Sequence, residues 1–187
     1  MNNKPIVNSK DVDFLINNFT IFKNIYHQYG LPPNWKRDEG FETLVLIILE
    51  QQVSLASAKA HFLKLKGYVF EITPENLLKL NDEEFRENHI SRQKTAYIKG
   101  LSLAVLQGEL QLDKFSTLSE TEVREQLTRL KGIGNWTTNV YLMSSLQFKD
   151  IFPIGDLALV SATKELTSLQ TKEEILEYSK QWKPYRS

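Results

Sequence analysis

The chain has 187 residues, no cysteine, and 23 basic residues against 23 acidic ones, so its formal net charge is zero. This length suits one domain with a hydrophobic core. The absence of cysteine excludes disulfides, cysteine-ligated zinc and iron–sulfur clusters, and it fits a cytoplasmic protein. The zero net charge argues against a protein that coats nucleic acid by charge alone.

Neither a membrane segment nor a histidine metal site stands out. The longest apolar run, Leu44–Leu49, is far too short to span a bilayer. Residues 1–10 are polar and lack the apolar core of a signal peptide. The three histidines, His27, His61 and His89, do not have metal-ligand spacing. We therefore expect no membrane contact.

Apolar residues recur at helical spacing along the chain, and no stretch shows the alternation of apolar and polar residues that is typical of a strand. The sequence therefore predicts an all-α protein. The first predicted helix runs from Asp11, a candidate N-cap, to Tyr29, and Gly30 ends it. The second, Phe41 to Leu65, is apolar almost all round at its start, which indicates a central position. We expect the N-terminal helices to pack back against the C-terminal ones.

Capping signals and periodicity place the remaining helices. Thr73-Pro74-Glu75 combines a cap, a first-position proline and an acid at the positive end of the helix dipole. Further helices are predicted to start at Asp82 and to span Thr95–Leu106, Leu118–Leu130, Asn135–Phe148, Asp156–Leu169 and Thr171–Trp182. Ser119 is a candidate cap, and Thr171 with Glu174 forms a capping box.

Two polar residues, Gln51 and Gln52, interrupt the apolar surface of the second predicted helix. A buried amide must find hydrogen-bond partners. One of these glutamines therefore either ties the helix to a loop or lines a functional cleft.

A glycine turn joins the predicted helices Leu118–Leu130 and Asn135–Phe148. Gly132 breaks the first helix because glycine accepts a positive φ, and Gly134 allows another backbone to approach closely. The unpaired N–H groups at the start of the second helix form an anion site, for which a DNA phosphate is the natural occupant. Arg129 and Lys131 add positive charge. The plain alternative is that both glycines only connect two packed helices.

A rigid loop carries one carboxylate to the start of the next helix. Phe152 and Pro153 restrict the backbone just before Gly155 and Asp156. Asp156 is well placed to cap this helix. Capping and a catalytic role are compatible, because a capping carboxylate stays ionised.

These segments together resemble the helix-hairpin-helix-Gly/Pro-Asp superfamily of DNA base-excision glycosylases. The chain is most similar to the 3-methyladenine DNA glycosylase II type, which removes alkylated bases. The resemblance rests on four segments in the same order: Gln51-Gln52-Val53-Ser54; the hairpin Leu127 to Thr137 with its Gly132-Ile133-Gly134 turn; Phe152-Pro153 with Asp156; and Trp182-Lys183-Pro184-Tyr185-Arg186-Ser187.

The resemblance implies one glycosylase domain over residues 1–187, with two helical lobes and a cleft between them. The hairpin would span about residues 119–147 and the catalytic loop about 149–157. The implied reaction is hydrolysis of the N-glycosidic bond of alkylated purines such as 3-methyladenine after base flipping. The implied partner is double-stranded DNA with damaged bases, bound by a monomer at the bacterial nucleoid.

The resemblance also implies a role for particular residues. Asp156 is the expected catalytic carboxylate, which would stabilise positive charge on the sugar or orient water. The expected base pocket consists of Trp136, Tyr141, Trp35 and Gln51. The expected DNA contacts are Lys131, Gly132, Gly134, Asn135, Thr137 and Arg92, with Arg92 as the side chain that fills the gap left by the flipped base. Backbone carbonyls of Thr128, Leu130 and Ile133 would hold a monovalent cation, and no other cofactor is expected.

Simpler interpretations remain for two of these residues. Trp136 lies on an apolar stripe and is also compatible with the core of the hairpin, and Arg92 with a solvated basic helix start. A lysine nucleophile in bifunctional relatives occupies the position of Trp136, so we expect a monofunctional enzyme without lyase activity.

Two departures from the family leave alternatives open. Larger members carry an N-terminal β-rich lobe, which we do not expect here. In relatives a helix follows the Trp182–Ser187 signature and brings another pocket aromatic, whereas this sequence ends at Ser187. The alternatives are therefore a non-catalytic helix-hairpin-helix DNA-binding protein, or a glycosylase for another damaged base.

Overall fold

The structure of the chain, a computed structural model, describes residues 9–187, and the regular elements within this range are all helical. The α-helices are α1 Ser9–Asn18, α2 Thr20–Tyr29, α3 Phe41–Glu50, α4 Leu55–Val69, α5 Pro74–Lys79, α6 Asp82–Glu87, α7 Arg92–Leu106, α8 Glu120–Thr128, α9 Asn135–Ser144, α10 Leu157–Leu166 and α11 Lys172–Ser179. Short 3₁₀ helices span Leu112–Thr117 and Lys180–Trp182. The all-α prediction is confirmed. Residues 1–8, where no signal-peptide core is predicted, lie outside the described range.

The chain divides into two compact units. The hairpin unit is Asp38–Tyr141, and the loop unit combines the described residues up to Arg37 with Leu142–Ser187. In the loop unit the N-terminal helices pack back on the C-terminal ones, as predicted: the Phe22 ring lies 5.0 Å from Trp182, and Phe14 lies 5.1 Å from Tyr185. The single-domain interpretation and the cleft between lobes stay predictions.

The predicted helix Asp11–Tyr29 is wrong, because the chain breaks at Phe19. Phe19 is extended (φ −135°), and the side-chain amide of Asn18 donates to the Phe14 carbonyl at 2.7 Å, which ends α1. Asp11 lies inside the first turn of α1 and pairs with Lys149 (2.7 Å) instead of capping. Gly30 ends α2 with a φ of +74°, as predicted.

The predicted helix Phe41–Leu65 is also two helices. The Ser54 side chain accepts from the Ser57 N–H and starts α4, and Gln52 adopts a left-handed φ of +56°. The central position predicted for the first part is confirmed, since most of α3 is buried and it packs on α4 and α7.

Several other boundaries differ from the prediction, and two of them have a clear local reason. Helix α7 begins at Arg92 rather than Thr95, because the Ser91 side chain caps it by accepting from the Lys94 N–H. Helix α9 ends at Ser144 rather than Phe148, because the Gln147 amide donates to the last carbonyls, including Ser144 O at 2.7 Å.

The remaining capping predictions are confirmed. Thr73 caps α5, and Ser119 caps α8 through a capping box. Thr171 and Glu174 form the predicted capping box of α11. No helix in the described range combines the length and apolar character needed to cross a membrane.

Candidate functional site

The hairpin between α8 and α9 has the predicted glycine turn. Gly132 has a φ of +93°, a conformation that side chains rarely adopt. The flanking apolar residues Leu127 and Ile133 are buried, with 0% and 3% of their surface exposed. Helix α9 starts at Asn135, and the Thr138 N–H donates to the Gly134 carbonyl at 3.0 Å. The buried side chains of Leu127 and Ile133 and this hydrogen bond therefore hold the turn, while Gly134 and Asn135 are exposed to solvent.

The close approach predicted at Gly134 occurs at Gly132 instead. The ring of Tyr97, from α7, lies against Gly132 so closely that any Cβ there would overlap it. Apart from Gly134 itself and its two chain neighbours, no heavy atom of the described residues lies within 4 Å of the corresponding position at Gly134. The prediction for Gly134 within the protein is therefore wrong, and no local sequence pattern points to Tyr97.

Gln51 connects the end of α3 to the hairpin. Its side-chain amide donates to the Gly132 carbonyl at 2.8 Å and to the Thr137 hydroxyl at 2.9 Å. This confirms that one glutamine ties α3 to a loop. The Thr137 side chain is only 2% exposed and its hydroxyl accepts from Gln51, so a DNA contact of Thr137 would use its backbone N–H. That contact stays a prediction.

The exposed face of the turn presents donors and positive charge. Lys131 and Asn135 are exposed, and the Asn135 side-chain oxygen accepts from Arg124 at 3.4 Å. Arg124 also donates to Asn139 (2.8 Å) and pairs with Glu120 (2.7 Å). The first N–H groups of a helix have no partner in the preceding turn and attract anions. This end of α9 suits a phosphate, and the DNA contacts of Lys131, Gly132, Gly134 and Asn135 stay predictions.

Tyr141 is not a pocket residue. Its side chain is fully buried, and its hydroxyl accepts from the Gly40 N–H at 2.8 Å. Burial raises the pKa of Tyr141 to about 12, against the opposing effect of the Gly40 hydrogen bond. The prediction is wrong because an aromatic residue late in α9 faces the core of the hairpin unit, where Phe115 lies 6.2 Å away.

The two tryptophans of the predicted base pocket are both exposed to solvent to some extent. Trp136 lies in the first turn of α9 and is half-buried, and Trp35 is 66% exposed in the segment before α3. Trp136 belongs to the hairpin unit and Trp35 to the loop unit. Their role in a base pocket, and that of Gln51, stay predictions.

Arg92 is exposed at the first position of α7. The exposed Gln52 is a second polar residue with unusual geometry, because its φ of +56° is uncommon outside glycine and such strain often marks functional turns. The glutamine pair indicated only an interruption within one helix, so this turn was not predicted. The assignment of Arg92 to the gap left by a flipped base stays a prediction.

The hairpin carbonyls provide oxygen, the ligand atom that hard cations prefer. The Leu130 carbonyl already accepts from the Ile133 N–H at 3.0 Å, and a carbonyl has a second lone pair for a cation. The cation site at Thr128, Leu130 and Ile133 fits this chemistry and stays a prediction.

Asp156 caps α10, as predicted. Its carboxylate accepts from the Leu159 N–H at 3.0 Å, and its own N–H donates to the Pro153 carbonyl at 2.7 Å. The side chain is half-buried. The loop therefore holds an oriented carboxylate at the start of α10.

The last two residues hold the beginning of this loop, and we call Arg186 and Ser187 the C-terminal clasp. Arg186 forms a bidentate pair with Asp150, at 2.5 Å and 3.0 Å, and also donates to the Asp150 carbonyl. The Ser187 hydroxyl donates to Phe148 O and accepts from the Ile151 N–H (2.9 Å). The sequence signature Trp182–Ser187 marked this segment, but its contacts were not predictable from spacing.

An aromatic cluster packs against the same loop through Phe152. Trp182 is 6% exposed, and its ring lies 6.0 Å from Phe152, 5.0 Å from Phe22 and 5.4 Å from Tyr178. Edge-to-face packing of this kind stabilises beyond simple burial by about 1 kcal/mol for each pair. The loop that carries Asp156 is therefore held at its start by the C-terminal clasp and at Phe152 by the aromatic cluster.

Comparison with known proteins agrees with this geometry. The family model for HhH-GPD superfamily base excision DNA repair proteins matches residues 45–184. A DNA-3-methyladenine glycosylase of Bacillus subtilis is 32% identical over 162 residues, which cover 79% of this chain and 54% of the relative. The chain thus spans about half the length of that relative. DNA-3-methyladenine glycosylase 1 of Schizosaccharomyces pombe is 28% identical over 184 residues, covering 86% of this chain and 81% of the relative.

Among solved structures, the 3-methyladenine DNA glycosylase of Schizosaccharomyces pombe in complex with abasic DNA superposes with a TM-score of 0.85 at 27% identity. The match covers 95% of this chain and 91% of that one. The region that the family model matches, residues 45–184, includes the hairpin, the Asp156 loop and the first part of the Trp182–Ser187 signature. The chain belongs to the HhH-GPD superfamily of base excision DNA repair proteins.

Proposed function

We propose that the protein is a DNA glycosylase that removes alkylated purines, such as 3-methyladenine, from double-stranded DNA. Family membership and the names of the relatives support this class of substrate. The observation that carries the proposal concerns Asp156. Its carboxylate caps α10 and lies in a loop whose start is held by the C-terminal clasp. The protein would act as a monomer in the cytoplasm.

The hairpin supplies the grip on DNA in this proposal. Backbone N–H groups around Gly132 and Gly134 bind a phosphate at the start of α9, and Lys131 adds charge. Phosphate contacts carry no sequence information, so the enzyme can scan any duplex. A monovalent cation at the Thr128, Leu130 and Ile133 carbonyls would strengthen this contact by its charge.

A base inside a duplex must be extruded before its glycosidic bond can be reached. Arg92 fills the gap in the stack, and Trp136 contacts the extruded base. Alkylation of a ring nitrogen makes the base cationic, and aromatic faces attract cations by about 0.5–2 kcal/mol. The same positive charge makes the base a good leaving group, so little acid catalysis is needed.

Asp156 acts on the sugar. As the glycosidic bond breaks, positive charge develops on the deoxyribose, and a fixed carboxylate stabilises it and orients the attacking water. Because Trp136 stands where bifunctional relatives carry a lysine, no Schiff base forms. The reaction ends with a free base and an intact abasic strand, without any cofactor.

Excision from a panel of lesions tests this proposal. Duplexes containing methylated, deaminated or oxidised purines are incubated with the protein, and the released bases are quantified. We expect release of the methylated purines above the others. Release of another lesion alone would replace the substrate, and binding without any release would indicate a non-catalytic helix-hairpin-helix protein.

A trapping experiment tests the monofunctional mechanism separately. Borohydride reduces a Schiff base between an amine and an abasic site to a stable adduct. We expect no covalent adduct between this protein and abasic DNA. An adduct that maps to a lysine would show that the protein is a lyase despite Trp136.

A further inference from the structure

A polar cavity lies beside the hairpin, within the hairpin unit. It has a volume of about 240 Å³ and lies between the turn Gln51–Ser54, the start of α7 and two histidines, His61 and His89. Gln51 and Tyr97 line it and also contact Gly132, so the cavity shares a wall with the hairpin turn. Of its lining residues, only Gln51 has a functional role assigned above, in the expected base pocket.

Positive charge gathers at this cavity. The rings of His61 and His89 lie 5.7 Å apart, and the Lys64 ammonium lies 3.0 Å from His89 Nε2. Lys94 lines the cavity and donates to the Leu49 carbonyl at 2.6 Å.

The residues that line the cavity include no carboxylate. The adjacent acids, Glu50 at the end of α3 and Glu87 at the end of α6, are not among them. Burial lowers the pKa of His61 below 6.5, and the neighbours His89, Lys94 and Lys64 lower it further. Burial also lowers the pKa of Lys94. His61 therefore faces ammonium groups from α4 and α7 and a second imidazole from the α6–α7 turn.

We propose that this cavity binds a phosphate of the DNA backbone, as a second phosphate contact beside the one at the hairpin. A phosphodiester supplies the missing negative charge, and His61, Ser91 and Gln93 supply hydrogen-bond donors. The N-terminus of α7, which Ser91 caps, adds the favourable end of a helix dipole. The proposal rests on the proposed function, because it takes DNA as the ligand.

The site makes DNA binding depend on pH. A bound phosphate favours the charged imidazole, so it raises the pKa of His61 above the lowered value of the unliganded protein. Between these two pKa values the complex binds more protons than the free protein. By linkage, affinity for DNA therefore rises as the pH falls through this window and is lower above it.

The test compares His61→Gln with His27→Gln, a change of an exposed histidine at the end of α2. Binding of undamaged duplex DNA is measured by fluorescence anisotropy at about pH 6 and about pH 8 over a range of salt. We expect tighter binding at the lower pH for the native protein and for His27→Gln. For His61→Gln we expect a weaker pH response and, at the lower pH, a salt slope smaller by about one.

Histidine NMR signals of the native protein provide a measurement that does not depend on a variant. Duplex DNA should raise the pKa of His61, and inorganic phosphate should do so more weakly. An unchanged pKa of His61 with DNA, or an equal pH response in His61→Gln, overturns the proposal. A response to inorganic phosphate without one to DNA assigns the cavity to free phosphate and equally overturns it.

The outcomes for this site and for the glycosylase activity are separable. A protein that excises methylated purines but binds DNA without any contribution from His61 contradicts the second phosphate contact alone. A protein that shows the His61-dependent binding but releases no base contradicts the proposed function alone.

Discussion

The hairpin turn and the Asp156 loop are fixed by different kinds of contact. At the turn, the neutral side chains Gln51 and Tyr97 contact Gly132 by a hydrogen bond and by ring packing. At the loop, the charged pair Arg186–Asp150 holds the chain, together with hydrogen bonds of Ser187. Both sets of contacts come from residues far away in the sequence.

The difference suggests different tolerances. The turn depends on the absence of a side chain at one position, and close packing cannot relax around an added methyl group. The loop depends on an ion pair whose side chains are 14% and 32% exposed, so water and salt reach it in part. We therefore expect the turn to be most sensitive to substitutions that add volume at Gly132, and the loop to substitutions or salt that weaken the Arg186–Asp150 ion pair.

The largest effect is expected for Gly132→Ala. Its φ of +93° is unfavourable for alanine, and the new Cβ would overlap the Tyr97 ring. Together these effects should lower the free energy of unfolding by about 3 kcal/mol. Chemical denaturation measures the change, with Gly134→Ala as the matched control, since nothing lies within 4 Å there. Equal stability of the two variants would show that the turn is not constrained by Tyr97.

The next effect is expected for Arg186→Ala. The change leaves Asp150 without its bidentate partner, which should cost about 1–3 kcal/mol. It should also slow base release while DNA affinity stays within a few fold, because the loop carries Asp156. Lys180→Ala, which breaks the exposed pair with Glu177, is the control and should change neither quantity measurably. Normal release by Arg186→Ala would separate the clasp from catalysis.

A smaller effect is expected for Gln51→Leu. The Gly132 carbonyl and the Thr137 hydroxyl lose their donor, which should lower the free energy of unfolding by about 1–2 kcal/mol. The loss should not depend on salt, in contrast to that of Arg186→Ala. Gln111→Leu, at an exposed glutamine with a single 3.4 Å hydrogen bond, serves as the control. A loss that shrinks as salt is added would contradict the distinction between the two regions.

Local chemistry made part of this structure predictable. Ser119, Thr171 and Asp156 cap helices as expected, because a cap involves only residues three positions apart. The glycine turn was predictable for the same reason, since the need for a positive φ at Gly132 is local.

Contacts between distant segments were not predictable. Apolar periodicity continues across Phe19, and the polar interruption at Gln51 and Gln52 contains no glycine or proline that would end a helix, so each pair of helices was predicted as one. Tyr141 was placed in a pocket because spacing cannot show that its hydroxyl meets Gly40. The contact of Tyr97 with Gly132 likewise depends on the packing of α7 against the hairpin.

The most direct test of the glycosylase mechanism is single-turnover release of methylated purines by Asp156→Asn. Asparagine preserves the size of the side chain and an oxygen for the Leu159 N–H, so the loop should keep its conformation. We predict that release falls by about 100-fold or more, while affinity for the same DNA stays within a few fold. Release at the native rate would contradict the assignment of Asp156 as the catalytic carboxylate.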